Sequence, residues 1–148
     1  MPFDLTIISN WWVCYHVGRP TARQEEADLQ TKDTVDTYLA AWCETDPEER
    51  RPLLEKCWTD GGIYVDPMAD VAGRDGLEAT IAGFHAQMPG ASIILNGSID
   101  EHHGRIRFPW AVKAADGSIP IKGIDVGQLA PDGRLASILG FWDNAPGG

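Results

Sequence analysis

The sequence predicts an α+β domain in which three helices cover one face of a curved antiparallel sheet. Three observations lead there: helical periodicity in the first part of the chain, alternation with a period of two in the second, and Asp-Gly and His-Gly pairs that cut the second part into hairpins. A chain of 148 residues, 43% hydrophobic and 23% charged, fits one such domain around one core.

The chain opens on "FDLTIISNWWVCYHVG", which has an apolar look, but no Lys or Arg precedes it and Asp4 and Asn10 interrupt it. It lacks the charged start of a signal peptide and the continuous apolar length needed to cross a bilayer, so the expected location is cytoplasmic. Trp11, Trp12 and Tyr15 are costly to leave in water, and three fates stay open for them: packing on the domain, packing on a partner chain, or a loose segment. Residues 1–30 are therefore set apart as an N-terminal extension, and residues 31–148 are taken as the domain.

From Thr31 to Trp42, the residues Val35, Tyr38, Leu39 and Trp42 fall at i, i+3, i+4 and i+7, the spacing of a helix that buries one stripe. Tyr38 points inward on it. In "DPEERRPLLEKCW", Asp46 can cap, Pro47 suits the first helical position and Glu49 completes a D-x-x-E box. A second helix burying Leu53, Leu54 and Cys57 starts there, with Pro52 close enough to its start to be tolerated. After "TDGG" the run Ile63 to Asp66 reads as a strand, and a loop closed by Gly73 leads to a third helix carrying Leu77, Ile81, Phe84 and Met88 on one face. Pro89-Gly90 ends it. Beyond residue 90, apolar runs broken at His103-Gly104, Asp116-Gly117 and Asp132-Gly133 give four antiparallel strands. In "RIRFPWAVK", Ile106, Phe108, Trp110 and Val112 share the buried face, Arg105, Arg107 and Lys113 the wet one, and Pro109 marks an edge or a bulge.

Charge and cysteine usage exclude several functions. Twelve Lys and Arg against 22 Asp and Glu leave a net charge of −10, which repels nucleic acid and anionic membrane surfaces. Cys14, Cys43 and Cys57 are an odd number without C-x-x-C spacing, which suits free thiols in a reducing compartment. His102-His103, beside Asp100 and Glu101, reads as a solvated turn and not a metal site, because neighbours in a strand face opposite ways. No metal is expected.

The aspartates carry the chemistry. In "IPIKGIDVGQL" the odd positions put Asp125 on the face of Ile119, Ile121 and Leu129, with Gly123 and Gly127 on either side leaving a hollow. A carboxyl there is paired or kept neutral by a raised pKa; in the alternative register Ile124 and Val126 point in and Asp125 meets water. Tyr38 needs a partner for its buried hydroxyl. Asp66 ends its strand on the side of Tyr64 before Pro67, which also suits a turn residue accepting backbone bonds.

Together, "YLAAW", "VDP" and "IDVGQLAPDGRLASILGFW" resemble, in order and spacing, the ketosteroid isomerases of the nuclear transport factor 2 superfamily and its SnoaL-like members, over roughly residues 31–143. The resemblance implies a cone of three helices on a curved sheet and an apolar cavity. It further implies that Asp66 shuttles a proton while Tyr38 and Asp125 donate hydrogen bonds to a substrate carbonyl, a logic for which this family is a standard worked case. Phe141-Trp142 matches the family's aromatic wall, so Trp142, with Phe84, Met88, Met68 and Trp110, is expected to bind substrate, and Val71 to line the cavity. No cofactor is needed, and a homodimer is implied. Epoxide hydrolysis is disfavoured because no R-x-D lies on the strands and Lys122 alternates away from Asp125. A His85–Asp pair would suit a dehydratase. The remaining alternative is a domain of the same fold that binds an apolar ligand or a second copy without catalysis.

Overall fold

The computed structural model describes residues 18–144. Trp11, Trp12, Cys14 and Tyr15, for which the sequence raised expectations, lie outside these residues.

Helix α1 spans Ala22–Cys43, nine residues longer at its start than the apolar stripe indicates. Thr21 caps it, its hydroxyl accepting from the Gln24 N–H at 3.3 Å, the first half of a T-x-x-Q capping box. Residues 22–30 are exposed and mostly good helix formers, with Leu29 alone among them large and apolar, so they show no apolar stripe. Helix α2, Pro47–Cys57, starts on Asp46 and Pro47 as expected and runs through Pro52. The Asp46 carboxylate accepts from the Glu48 N–H, and it is Glu44, not Glu49, that accepts from the Asp46 N–H.

Strand β1, Trp58–Asp66, turns at Pro67-Met68 into β2, Ala69–Ala72, pairing Asp66 with Ala69. A strand thus occupies what the sequence suggested was loop. Helix α3, Gly73–Gln87, buries Leu77 and Ile81. Five strands follow where four were expected, because the first apolar run splits into β3, Ser92–Leu95, and β4, Asp100–His102, both paired with β5, Arg105–Lys113. Pro109 sits where the partner of β5 changes: its carbonyl accepts from the Asn96 N–H, on the side where its own missing N–H is not needed. Strands β6, Ile121–Leu129, and β7, Leu135–Trp142, complete the sheet.

The order is β2-β1-β7-β6-β5-β3, and the sheet is mixed, not antiparallel. Strand β1 runs parallel to β7, a pairing that no hairpin constrains because α3 and five strands intervene. Register shifts in β1 against β7 and in β6 against β7 mark irregularities of the kind that bend a sheet. The core lies between helices and sheet: Val35, Tyr38, Leu54, Leu77 and Ile81 meet Trp58, Ile106, Phe108 and Ile138. Thr34 ties α1 to the β6–β7 turn through the Gly133 carbonyl at 3.0 Å. Among the described residues, no helix is long and apolar enough to cross a membrane.

Candidate active site

Between α1, α3 and the inner face of the sheet lies a cavity of about 420 Å³. Tyr38, Asp66 and Asp125 all line it, as do Met68, Phe84, Met88, Trp110 and Trp142. Val71 does not. Its described lining holds two carboxylates and no Lys, Arg or His.

Asp125 faces inward and is 5% exposed, so the outward register is excluded. The flanking glycines do not leave a hollow. A Cβ on Gly123 would fall 2.5 Å from the Trp110 ring and 2.3 Å from the Phe141 carbonyl, and one on Gly127 would fall 2.2 Å from the Ser137 carbonyl. They let β7 approach closely and let the Trp110 indole lie across β6. From there Trp110 Nε1 donates to Asp125 Oδ1 at 2.8 Å. Tyr38 Oη reaches Oδ2 only at 3.5 Å. Burial, with a smaller push from the Asp66 charge, raises the Asp125 pKa to about 7 against the pull of Trp110 and Tyr38. A carboxyl that trades its proton near neutrality follows.

Asp66, half-buried, divides its two oxygens. Oδ1 accepts from the Met68 N–H at 2.7 Å, the turn role weighed in the sequence, and Oδ2 accepts from Tyr64 Oη at 2.7 Å. Tyr64 is a site residue that sequence reasoning passed over, although it shares Asp66's face two positions earlier. Burial raises the phenols of Tyr38 and Tyr64 above their ordinary range, with the Asp125 charge second in both, so each remains a neutral donor.

Gly140 on β7 pairs with Asp125 across β6. A Cβ there would stand 3.1 Å from Asp125 Oδ1 and 3.3 Å from Asp66 Cβ. Its missing side chain lets the two aspartates occupy one end of the cavity. His85 is elsewhere: its Nε2 bonds the Trp42 carbonyl at 2.8 Å, and it is not part of the cavity wall. The His–Asp pair of a dehydratase is therefore not formed. Lys122 lies exposed on the opposite face of β6. His102 and His103 are exposed at the β4–β5 turn, where His103 takes φ 52° and Gly104 φ 72°.

A helix-capped curved sheet enclosing an aromatic cavity with two carboxylates defines a small cavity protein of the nuclear transport factor 2 fold. Comparison with solved structures narrows this. The chain is similar to a provisionally named isomerase of the SnoaL-like family from Agrobacterium tumefaciens strain C58, at 36% identity and a TM-score of 0.74, over 78% of this chain and 99% of that one. The chain belongs to the SnoaL-like family. A nuclear transport factor 2-like protein from Exiguobacterium, at 23% identity and TM-score 0.60 over 75% of this chain and 98% of that one, shares the fold. So does a protein from Jannaschia named as a SnoaL-like polyketide cyclase, at 14% and 0.63 over 79% and 88%. No protein-family model and no curated protein matches the chain.

Proposed function

We propose that the protein is a cofactor-independent acid–base enzyme that moves a proton on the carbon beside a carbonyl in an apolar small molecule, as an isomerase or cyclase-like enzyme does. The observation that carries this reading is the pair of aspartates on either side of Gly140 at one end of an aromatic cavity, one of them with its pKa pushed up to about 7 and no cation in the described lining. The 36% identical Agrobacterium protein, with its provisional isomerase name, supports it.

The Asp66 carboxylate takes the proton α to the carbonyl. The electrons of the broken C–H bond form a carbon–carbon double bond, and the carbonyl π pair moves onto oxygen. Tyr38 and protonated Asp125 donate hydrogen bonds to that oxygen. Asp125 Oδ1 is committed to the Trp110 N–H, whereas Oδ2 has only the long Tyr38 contact, so Oδ2 is the oxygen that carries the donated proton. Return of the proton from Asp66 to the same carbon or a conjugated one completes the cycle. Phe84, Met88, Met68 and Trp142 hold the apolar body.

The test needs no knowledge of the natural substrate. Loss of the α-protons of 2-decalone into D₂O, followed by proton NMR, should run well above the buffer rate, and Asp66→Asn should lower the enzymic part roughly 10²- to 10⁴-fold. Exchange at the wild-type rate in that variant would remove Asp66 from the reaction.

A further inference from the structure

The proton-transfer reading leaves one buried titratable side chain of the cavity without a part. Tyr64 is 5% exposed and borders the cavity, yet it takes no step in the reaction above. Burial, helped by the charges of Asp125 and Asp66, keeps its phenol protonated. A hydroxyl has one proton to give, and this one goes to Asp66 Oδ2 at 2.7 Å. Tyr64 is therefore a partner of the base and not a further donor to the ligand oxygen.

The scaffold shows why the base needs one. Tyr64 sits in mid-strand, its backbone paired with Val71 of β2 on one side and Ile138 of β7 on the other, and its ring packs against Trp42 with centroids 5.4 Å apart. Asp66 stands two residues on, past the last pair with β7, which is Val65 with Leu139, and keeps only Ala69 of β2 as a strand partner. Its Oδ1 accepts from the Met68 N–H at 2.7 Å, in the turn that follows. Tethered by that oxygen alone, the carboxylate is free to swing and carry Oδ2 with it. The Tyr64 hydroxyl fixes the second oxygen from the rigid part of the sheet.

We propose that Tyr64 is the positioning residue of the base: through its bond to Asp66 Oδ2 it aims the carboxylate at one of the two protons on the α-carbon before it. This rests on the acid–base reading above and adds a stereochemical choice to it. Loss of the hydroxyl has two opposed effects. A carboxylate short of one donor holds a proton more tightly, which favours abstraction, but Asp66 is half-buried, so water takes the hydroxyl's place and returns most of that bond. Water does not return the aim, and misplacement of a reacting group by about 1 Å costs roughly 10²-fold in rate. The loss of aim decides the sign.

The experiment follows the individual α-protons of 2-decalone in D₂O by proton NMR with the full chain, Tyr64→Phe, Asp66→Asn and the double variant, each rate taken per folded molecule. Ketone affinity is read from the Trp110 indole signal in ¹H–¹⁵N spectra, assigned with Trp110→Phe. Tyr64→Phe removes the hydroxyl and keeps the ring against Trp42. It is expected to lower the enzymic rate roughly tenfold, to bring the preference between the two protons of a pair back toward that of the buffer reaction, and to leave ketone affinity unchanged. In the Asp66→Asn background the same change should cost nothing further, because Tyr64 acts through Asp66. An unaltered rate and preference in Tyr64→Phe overturn the proposal. So does a rate loss with the preference intact, or an equal loss in the Asp66→Asn background, either of which marks a hydroxyl that serves packing alone. Each of these leaves the acid–base reading standing while Asp66→Asn still removes the exchange. Wild-type exchange no faster than buffer takes down that reading and this proposal with it.

Discussion

Arg50 and Asp125 are both ionisable side chains removed from water, and the fold treats them in opposite ways. Arg50, 1% exposed on α2, donates to the Glu44 carbonyl at 2.8 Å, the Thr45 carbonyl at 3.2 Å and the Glu78 carboxylate at 2.7 Å. Its charge is matched and most of its donors are used, which fastens the α1–α2 turn and α3 to α2. Asp125 has two neutral donors, one of them long, and its nearest charged neighbour in the cavity is another carboxylate. A buried charge with a full set of partners is a fastening, and one with a spare oxygen beside a cavity is poised for proton transfer.

The largest expected contrast is in pH dependence. The Asp125 pKa is raised from an ordinary 3.8 to about 7, so across that interval the native state holds a proton that the unfolded chain has released. Stability therefore falls as pH rises from about 4 to about 7 and levels off above, by an amount on the order of 4 kcal/mol. Asp125→Asn should lack this part of the slope and gain on the wild type at pH 8, read by urea unfolding across the range. Equal slopes in both proteins would assign the pH dependence to other carboxylates and break the contrast. Arg50→Met should act the other way, costing about 3 kcal/mol at pH 8 by leaving the half-buried Glu78 carboxylate without its partner. Exchange of 2-decalone protons per folded molecule should not change, because Arg50 does not border the cavity.

The same pair marks how far sequence reasoning reaches. The stripes of α1 and α3 and the Gly-containing turns were legible because they depend on local periodicity and local backbone freedom. Alternation tied Asp125 to the face of Ile121 and Leu129, but which face turns inward stayed open until the sheet was seen packed. Arg50 was not legible as a buried residue, since it stands next to Arg51 in a run of charges and nothing local says which of the two is buried. The parallel pairing of β1 with β7 was not legible either, being a contact between distant segments. For the same reason the bond from Trp110 to Asp125 could not be read, although both residues were singled out separately.

The smallest and most selective change is Gly140→Ala. At Gly127 an added methyl would strike a backbone carbonyl at 2.2 Å, which cannot yield without moving β7. At Gly140 the neighbours are the Asp125 carboxylate oxygen at 3.1 Å and the Asp66 Cβ at 3.3 Å, so a shift of a few tenths of an ångström shared between the two side chains relieves the contact. The expected stability cost is about 1 kcal/mol by urea unfolding. Ketone proton exchange should fall further than that cost suggests, by roughly threefold to tenfold, because the displaced groups are the proposed base and acid, whose mutual placement would set the rate. A variant that loses stability and keeps full exchange would mean that the two aspartates work independently of their spacing, and that the gap at Gly140 serves the packing of β6, β7 and β1 alone.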